Sequence, residues 1–184
     1  CRQFCEGLAQ SLVRSNAAVT LQLGTRVTQI IRAEGRVRGV VTTAGVMEAD
    51  AVVLALGTGA RALAGPLGLA LPIYPLKGYS LSPAITNEAA APRISITDSA
   101  AKVVYARIGA RLRVAGMADV VGYSTALEEK RLSTLIRLAR ATFPGASDWR
   151  ELNPWAGLRP ATPTGLPILG AAPNIPGLFL NLGQ

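Results

Sequence analysis

Histidine is absent from this 184-residue chain, and cysteine occurs only at Cys1 and Cys5. Without imidazole and without a second cysteine pair, a zinc site has no ligand set and a disulfide framework has no partners. The i, i+4 spacing of the two thiols places them on one face of a helix, as reduced side chains of an intracellular protein. Aromatic residues make up 5% of the chain and charged residues 16%. The net charge of +8 comes mostly from arginines scattered along the sequence. No dense basic block is interleaved with aromatics, so no nucleic-acid surface is expected. Apolar stretches are broken by Gly, Pro or charge well before the roughly 18 residues that a membrane helix needs. No G-x-G-x-x-G turn with an acidic residue downstream is present. No signal segment opens the chain. It begins at Cys1 inside a helical pattern and is expected to be a fragment.

What is there is a core-forming sequence, 49% hydrophobic, enough for one core or two small ones. Phe4, Leu8 and Leu12 recur at helical spacing, which predicts a helix over 3–14 ended by Ser15-Asn16. Val19–Leu23 alternates as a strand. Three further strands follow, over 26–32, 37–43 and 46–50, with turns at Glu34-Gly35 and Ala44-Gly45. The apolar run 51–56 predicts a strand buried on both faces, as in a parallel sheet. It closes on Gly57-Thr58-Gly59, where glycine lets another backbone or a ligand come close. Pro66 and Pro72 mark a change of subdomain near 65–75.

The second half reads as antiparallel. Strands are predicted over 79–82, 93–97, 102–108 and 111–115, the last two joined by a Gly109-Ala110 hairpin. Residues 125–141 form the clearest helix, with Thr125 and Glu128 spaced as a capping box. A proline-rich tract with short strands fills 153–176, and 177–182 is a last strand. The fold class is mixed, α+β joined to α/β. The division expected is 1–70, 71–152 and 153–184.

The segment Trp155-Ala-Gly-Leu-Arg-Pro-Ala-Thr-Pro-Thr-Gly-Leu-Pro-Ile-Leu-Gly170 holds Arg159 in a rigid Gly/Pro frame with almost no other charge nearby. A guanidinium held so is a fork for a planar carboxylate. The alternative is a structural arginine paired with Asp119, Asp148 or Glu151. This run resembles the substrate-arginine motif of the D-amino-acid oxidase/glycine oxidase superfamily of flavoenzymes. The order Pro75-Leu-Lys-Gly-Tyr79 is similar to the D-amino acid dehydrogenase branch. The likeness covers essentially the whole chain.

That resemblance implies an FAD-binding domain of the two-dinucleotide-binding type with a β-meander (1–70). It implies an antiparallel-sheet substrate domain with one long helix (71–152), then a return to the FAD domain (153–184). The implied reaction oxidises a D-amino acid to an imino acid, which hydrolyses to a keto acid. Arg159 then grips the substrate carboxylate. Lys77 stands near flavin or substrate, or is a solvated lysine at a domain border. Tyr79 faces the substrate or packs in the core, and Tyr105 is a weaker candidate of the same kind. Val27 meets the adenine through its main chain or is an ordinary strand valine. Ala55 and Gly57 belong to the turn that touches FAD, Gly170 approaches the flavin ring, and Gly183 opens a Gly-His-Gly-like contact in which Gln184 replaces histidine. Further implied are a quinone or other electron acceptor and a cytoplasmic location, with peripheral association at the inner membrane face. Two alternatives stay open: a glycine- or sarcosine-type amine oxidase, and a non-catalytic module that binds a carboxylate.

Overall fold

The computed structural model describes residues 2–15 and 18–183. The expected helix stop at Asn16, Cys1 and the Gln184 position lie outside the described residues. The elements in chain order begin with α1 (Arg2–Ser15), β1 (Val27–Ala33), β2 (Arg36–Thr42), β3 (Gly45–Glu48), β4 (Val52–Leu54) and α2 (Ala60–Ala64). They continue with β5 (Tyr74–Leu81), β6 (Ile96–Asp98), β7 (Val103–Ile108), β8 (Arg111–Asp119), α3 (Glu129–Thr142), β9 (Trp155–Ala161), β10 (Ile168–Ala171) and β11 (Leu178–Leu182). The strands form three sheets, in the orders β1-β2-β3, β10-β11-β4 and β6-β7-β8-β5-β9. By contacts the chain divides into two compact units, 1–53 with 171–179 and 54–170 with 180–184.

The first unit contains the expected meander. Glu34-Gly35 and the Thr43-Ala44 turn reverse the chain, and β1, β2 and β3 pair antiparallel in sequence order. Ile30 and Val37 supply its buried side chains. Helix α1 forms as its spacing predicts, but none of its residues is buried. The strand expected over 19–23 does not form. Leu21 and Leu23 stand exposed, and no strand of the three sheets pairs with this segment, so its alternation has no ladder to join. The run 51–56 yields only the three-residue β4, and Val53 is 60% exposed, so this strand is not covered on both faces.

The second unit is built on the five-stranded sheet, in which each pair given a register is antiparallel. Ile108 pairs with Arg111 across Gly109-Ala110, the hairpin that the sequence signals. One face of the sheet carries a core of Tyr79, Leu81, Val103, Tyr105, Leu112 and Val114. Helix α3 lies on it because Leu132, Leu135, Ile136 and Ala139 fall at i, i+3, i+4 and i+7. Burying a leucine such as Leu135 contributes about 2 kcal/mol.

The capping box is not formed. Helix α3 starts four residues later than predicted, its N-cap is Glu128, and no side chain caps it. The reason lies upstream: the Ala126 carbonyl accepts a hydrogen bond from Lys77 Nζ at 2.9 Å, which goes with an extended rather than a helical approach. Of the tract 153–170, 155–161 joins the five-stranded sheet as β9, whereas β10 belongs to the sheet β10-β11-β4. Strand β9 pairs with β5 from Tyr74↔Ala161 to Ser80↔Trp155, so the whole glycine–arginine motif is an edge strand of the second unit.

Candidate active site

Strand alternation sorts the motif residues onto two faces. Lys77, Tyr79 and Leu81 point to the α3 side, whereas Leu76, Gly78 and Ser80 point away from it. Cross-strand pairing carries the second set onto β9: Leu76 lies opposite Arg159, Gly78 opposite Gly157, and Ser80 opposite Trp155. On the other side Ser80 lies opposite Ala115 of β8, which places Arg113 on the same face. A one-residue bulge in β8 between the Lys77 and Tyr79 pairs puts Met117 at φ +69°, packed against the α3-side core.

The Arg159 side chain bends back over Gly78. A Cβ at position 78 would stand 3.2 Å from both Nη atoms and 3.3 Å from Cζ. Glycine there therefore makes a bed for the guanidinium. Gly157 does the same for Trp155, whose indole would collide with a Cβ at 2.0 Å. The Arg113 guanidinium sits 5.6 Å from the centre of the Trp155 ring, within cation–π reach. Arg113, Ser80, Gly78, Trp155 and Arg159 line one cavity of about 130 Å³. No carboxylate lines it.

The salt bridge expected in the structural alternative for Arg159 is not formed among the described residues. Asp119 binds Arg131 and Asp148 faces Arg150. The Arg159 guanidinium is exposed and has no hydrogen-bond or ion-pair partner there.

Lys77 is not brought to Arg159, whereas Tyr79 is among the residues that line the Arg159 cavity. Lys77 is 1% exposed, so it is no solvated border lysine; its ammonium binds the Ala126 carbonyl and lies 5.0 Å from the Tyr79 ring centre. Tyr79 packs in the α3-side core. Tyr105 packs there too, edge-on to Phe143, with its hydroxyl accepting from Thr142 Oγ1. The period of two in β5 made these assignments readable only once the face covered by α3 was known. The residues that sequence reasoning missed are Gly78, Ser80, Arg113 and Gly157. The signal available for them was the alternation shared with Arg159 across paired strands.

The three glycines expected at the cofactor all have positive φ. Gly57 (φ +53°) ends the Ala55-Leu56-Gly57 turn, and a Cβ there would stand 3.7 Å from the ring of Pro160, the residue after Arg159. Gly170 (φ +116°) has nothing within 4 Å of where a Cβ would stand. Gly183 packs on the 162–167 turn, since a Cβ would fall 2.6 Å from Thr162 Cγ2. That turn is closed by the bonds Gly165 N–H to Thr162 O and Thr162 Oγ1 to Leu166 O. Val27 begins β1 in the first unit, half-buried and paired with Thr42. Leu56 and Leu169, beside Gly57 and Gly170, are exposed. Among the described residues no group of His, Cys, Asp and Glu could hold a metal, and no helix is long and apolar enough to cross a membrane.

The chain belongs to the family of FAD dependent oxidoreductases termed DAO, which it matches over residues 1–184. It is 48% identical over 184 residues to D-amino acid dehydrogenase 2 of Pseudomonas aeruginosa, covering 100% of this chain and 44% of that protein. It is 43% identical over 184 residues to a D-amino acid dehydrogenase of Cereibacter sphaeroides, covering 100% of this chain and 42% of that protein. The chain thus spans a little under half the length of these curated relatives. Among solved structures, glycine oxidase from Geobacillus kaustophilus superposes with a TM-score of 0.81 at 25% identity, over 96% of this chain and 47% of that one. An L-proline dehydrogenase from P. horikoshii shares the fold, with a TM-score of 0.84 at 17% identity over 98% of this chain and 49% of that one.

Proposed function

We propose that this chain forms the substrate-carboxylate-binding part of an FAD-dependent D-amino acid dehydrogenase. The observation that carries the reading is the Arg159 guanidinium, exposed, unpaired among the described residues and laid over Gly78 on the sheet face opposite α3. Two parallel N–H donors from one planar group match the two oxygens of an amino acid's carboxylate. Fixing that end at two points restricts the α-carbon to a small set of orientations, which is where positioning lowers the barrier. Trp155, folded over Gly157, supplies an apolar wall beside the fork. No Asp, Glu or His of this chain lines the cavity. FAD, when bound, supplies the hydride acceptor, and Ala55, Gly57, Gly170 and Gly183 are the main-chain positions of this unit suited to hold its ring.

The names of the relatives support D-amino acids as substrates. A quinone or another carrier as the final electron acceptor, and a cytoplasmic site at the inner membrane face, rest on the likeness to the dehydrogenase branch alone. In the holoenzyme, Arg159→Lys is expected to raise KM for D-amino acids by roughly 10- to 100-fold, because an ammonium cannot reproduce the fork. Unchanged KM would overturn the assignment. Turnover of glycine or sarcosine in preference to D-amino acids would favour an amine oxidase.

A further inference from the structure

We propose that Arg113 and Ser80 form a second recognition point in the same cavity, which selects amino acids whose side chain ends in a carboxylate. The inference rests on the Arg159 reading and extends it to substrate class. Three observations point to it. Arg113 is half-buried on the Arg159 face and makes no hydrogen bond or ion pair among the described residues, while its guanidinium is oriented by the Trp155 ring. Ser80 is 1% exposed and is among the residues that line the cavity, and its hydroxyl has no hydrogen-bond partner. A buried hydroxyl left without a partner costs free energy, and a ligand oxygen at this place relieves it.

Both guanidiniums belong to one small stretch of the sheet face. The Arg159 fork rests over Gly78, and the Trp155 ring, 5.6 Å from the Arg113 guanidinium, is folded over Gly157, the residue paired with Gly78. A dicarboxylic amino acid places its two carboxylates a few carbons apart, so each faces one guanidinium. The lining contains two cations and no anion, which opposes a substrate with a cationic side chain.

The test is the ratio of kcat/KM for D-glutamate to that for D-leucine in the holoenzyme, compared between wild type, Arg113→Met and Ser80→Ala. Arg113→Met is expected to lower the ratio about tenfold or more, and Ser80→Ala several-fold, while D-leucine alone moves by less than about twofold. Titration of the bound flavin's absorbance with glutarate and with butyrate gives a reading without turnover: the preference for glutarate should disappear in Arg113→Met. If Arg113 only props Trp155, both substrates and both ligands weaken together, and the proposal is overturned. An unchanged ratio in folded Arg113→Met overturns it equally. Neither result touches the Arg159 reading, which fails only if Arg159→Lys leaves KM unchanged for every substrate.

Discussion

Replacing Gly78 by alanine should separate the stability of the sheet from the grip on substrate. The backbone at 78 lies outside the left-handed region, so alanine fits the strand, and relative to glycine it stabilises by about 0.5–1 kcal/mol. The new methyl would stand 3.2 Å from both Nη atoms of Arg159, closer than the ordinary contact that begins near 3.4 Å. The atoms it meets are the far end of a flexible side chain, so the fold yields at little cost. The guanidinium must lift by a few tenths of an ångström. A two-point contact displaced that far loses about 1 kcal/mol, which is roughly a fivefold rise in KM. Gly78→Val fills the space the fork occupies, and KM should rise on the order of a hundredfold. Thermal melting and steady-state kinetics on the two holoenzyme variants provide the assay. Alanine should give an equal or higher Tm with a raised KM. Two folded variants with wild-type KM would show that the Arg159 fork does not bind substrate above residue 78.

Lys77→Met tests the opposite face: KM for D-amino acids should stay within about twofold, because Lys77 points to the α3 side and holds Ala126, and the lost bond should change stability by about 1 kcal/mol. A KM rise like that of Arg159→Lys would contradict the sorting of the two faces. Glu88 offers a pH test. The hydrogen bond from Arg107 holds its carboxyl below the usual carboxylate range, helped by the charges of Arg107 and Arg93 and opposed by partial desolvation. A depressed carboxyl contributes stability above its unfolded-state pKa and loses that contribution as pH falls through the lower folded value. In an NMR titration the Glu88 midpoint should move up in Arg107→Gln, and an unmoved midpoint would dismiss the pair.

The local grammar of the chain was readable. Glu34-Gly35 and Gly109-Ala110 announced their turns, the apolar face of Leu127, Leu135, Leu138 and Ala139 announced the helix, and the charge-poor Gly/Pro frame singled out Arg159. What could not be read depends on partners distant in sequence. The antiparallel pairing of 74–81 with 155–161 decides that Gly78, not Lys77, shares a face with the arginine. A period of two gives two faces but not which of them a helix covers. The same limit explains 19–23, where alternation without a pairing neighbour leaves no strand, and Thr125/Glu128, where a bond from Lys77, 49 residues away, meets the segment of the expected cap.

The most direct measurement is a crystal structure of the holoenzyme with a carboxylate substrate analogue bound. The expected result is both carboxylate oxygens about 2.8 Å from the two terminal nitrogens of Arg159, with the guanidinium still seated over Gly78. A ligand bound elsewhere, with Arg159 turned into an ion pair with a protein carboxylate, would contradict the role assigned to this residue.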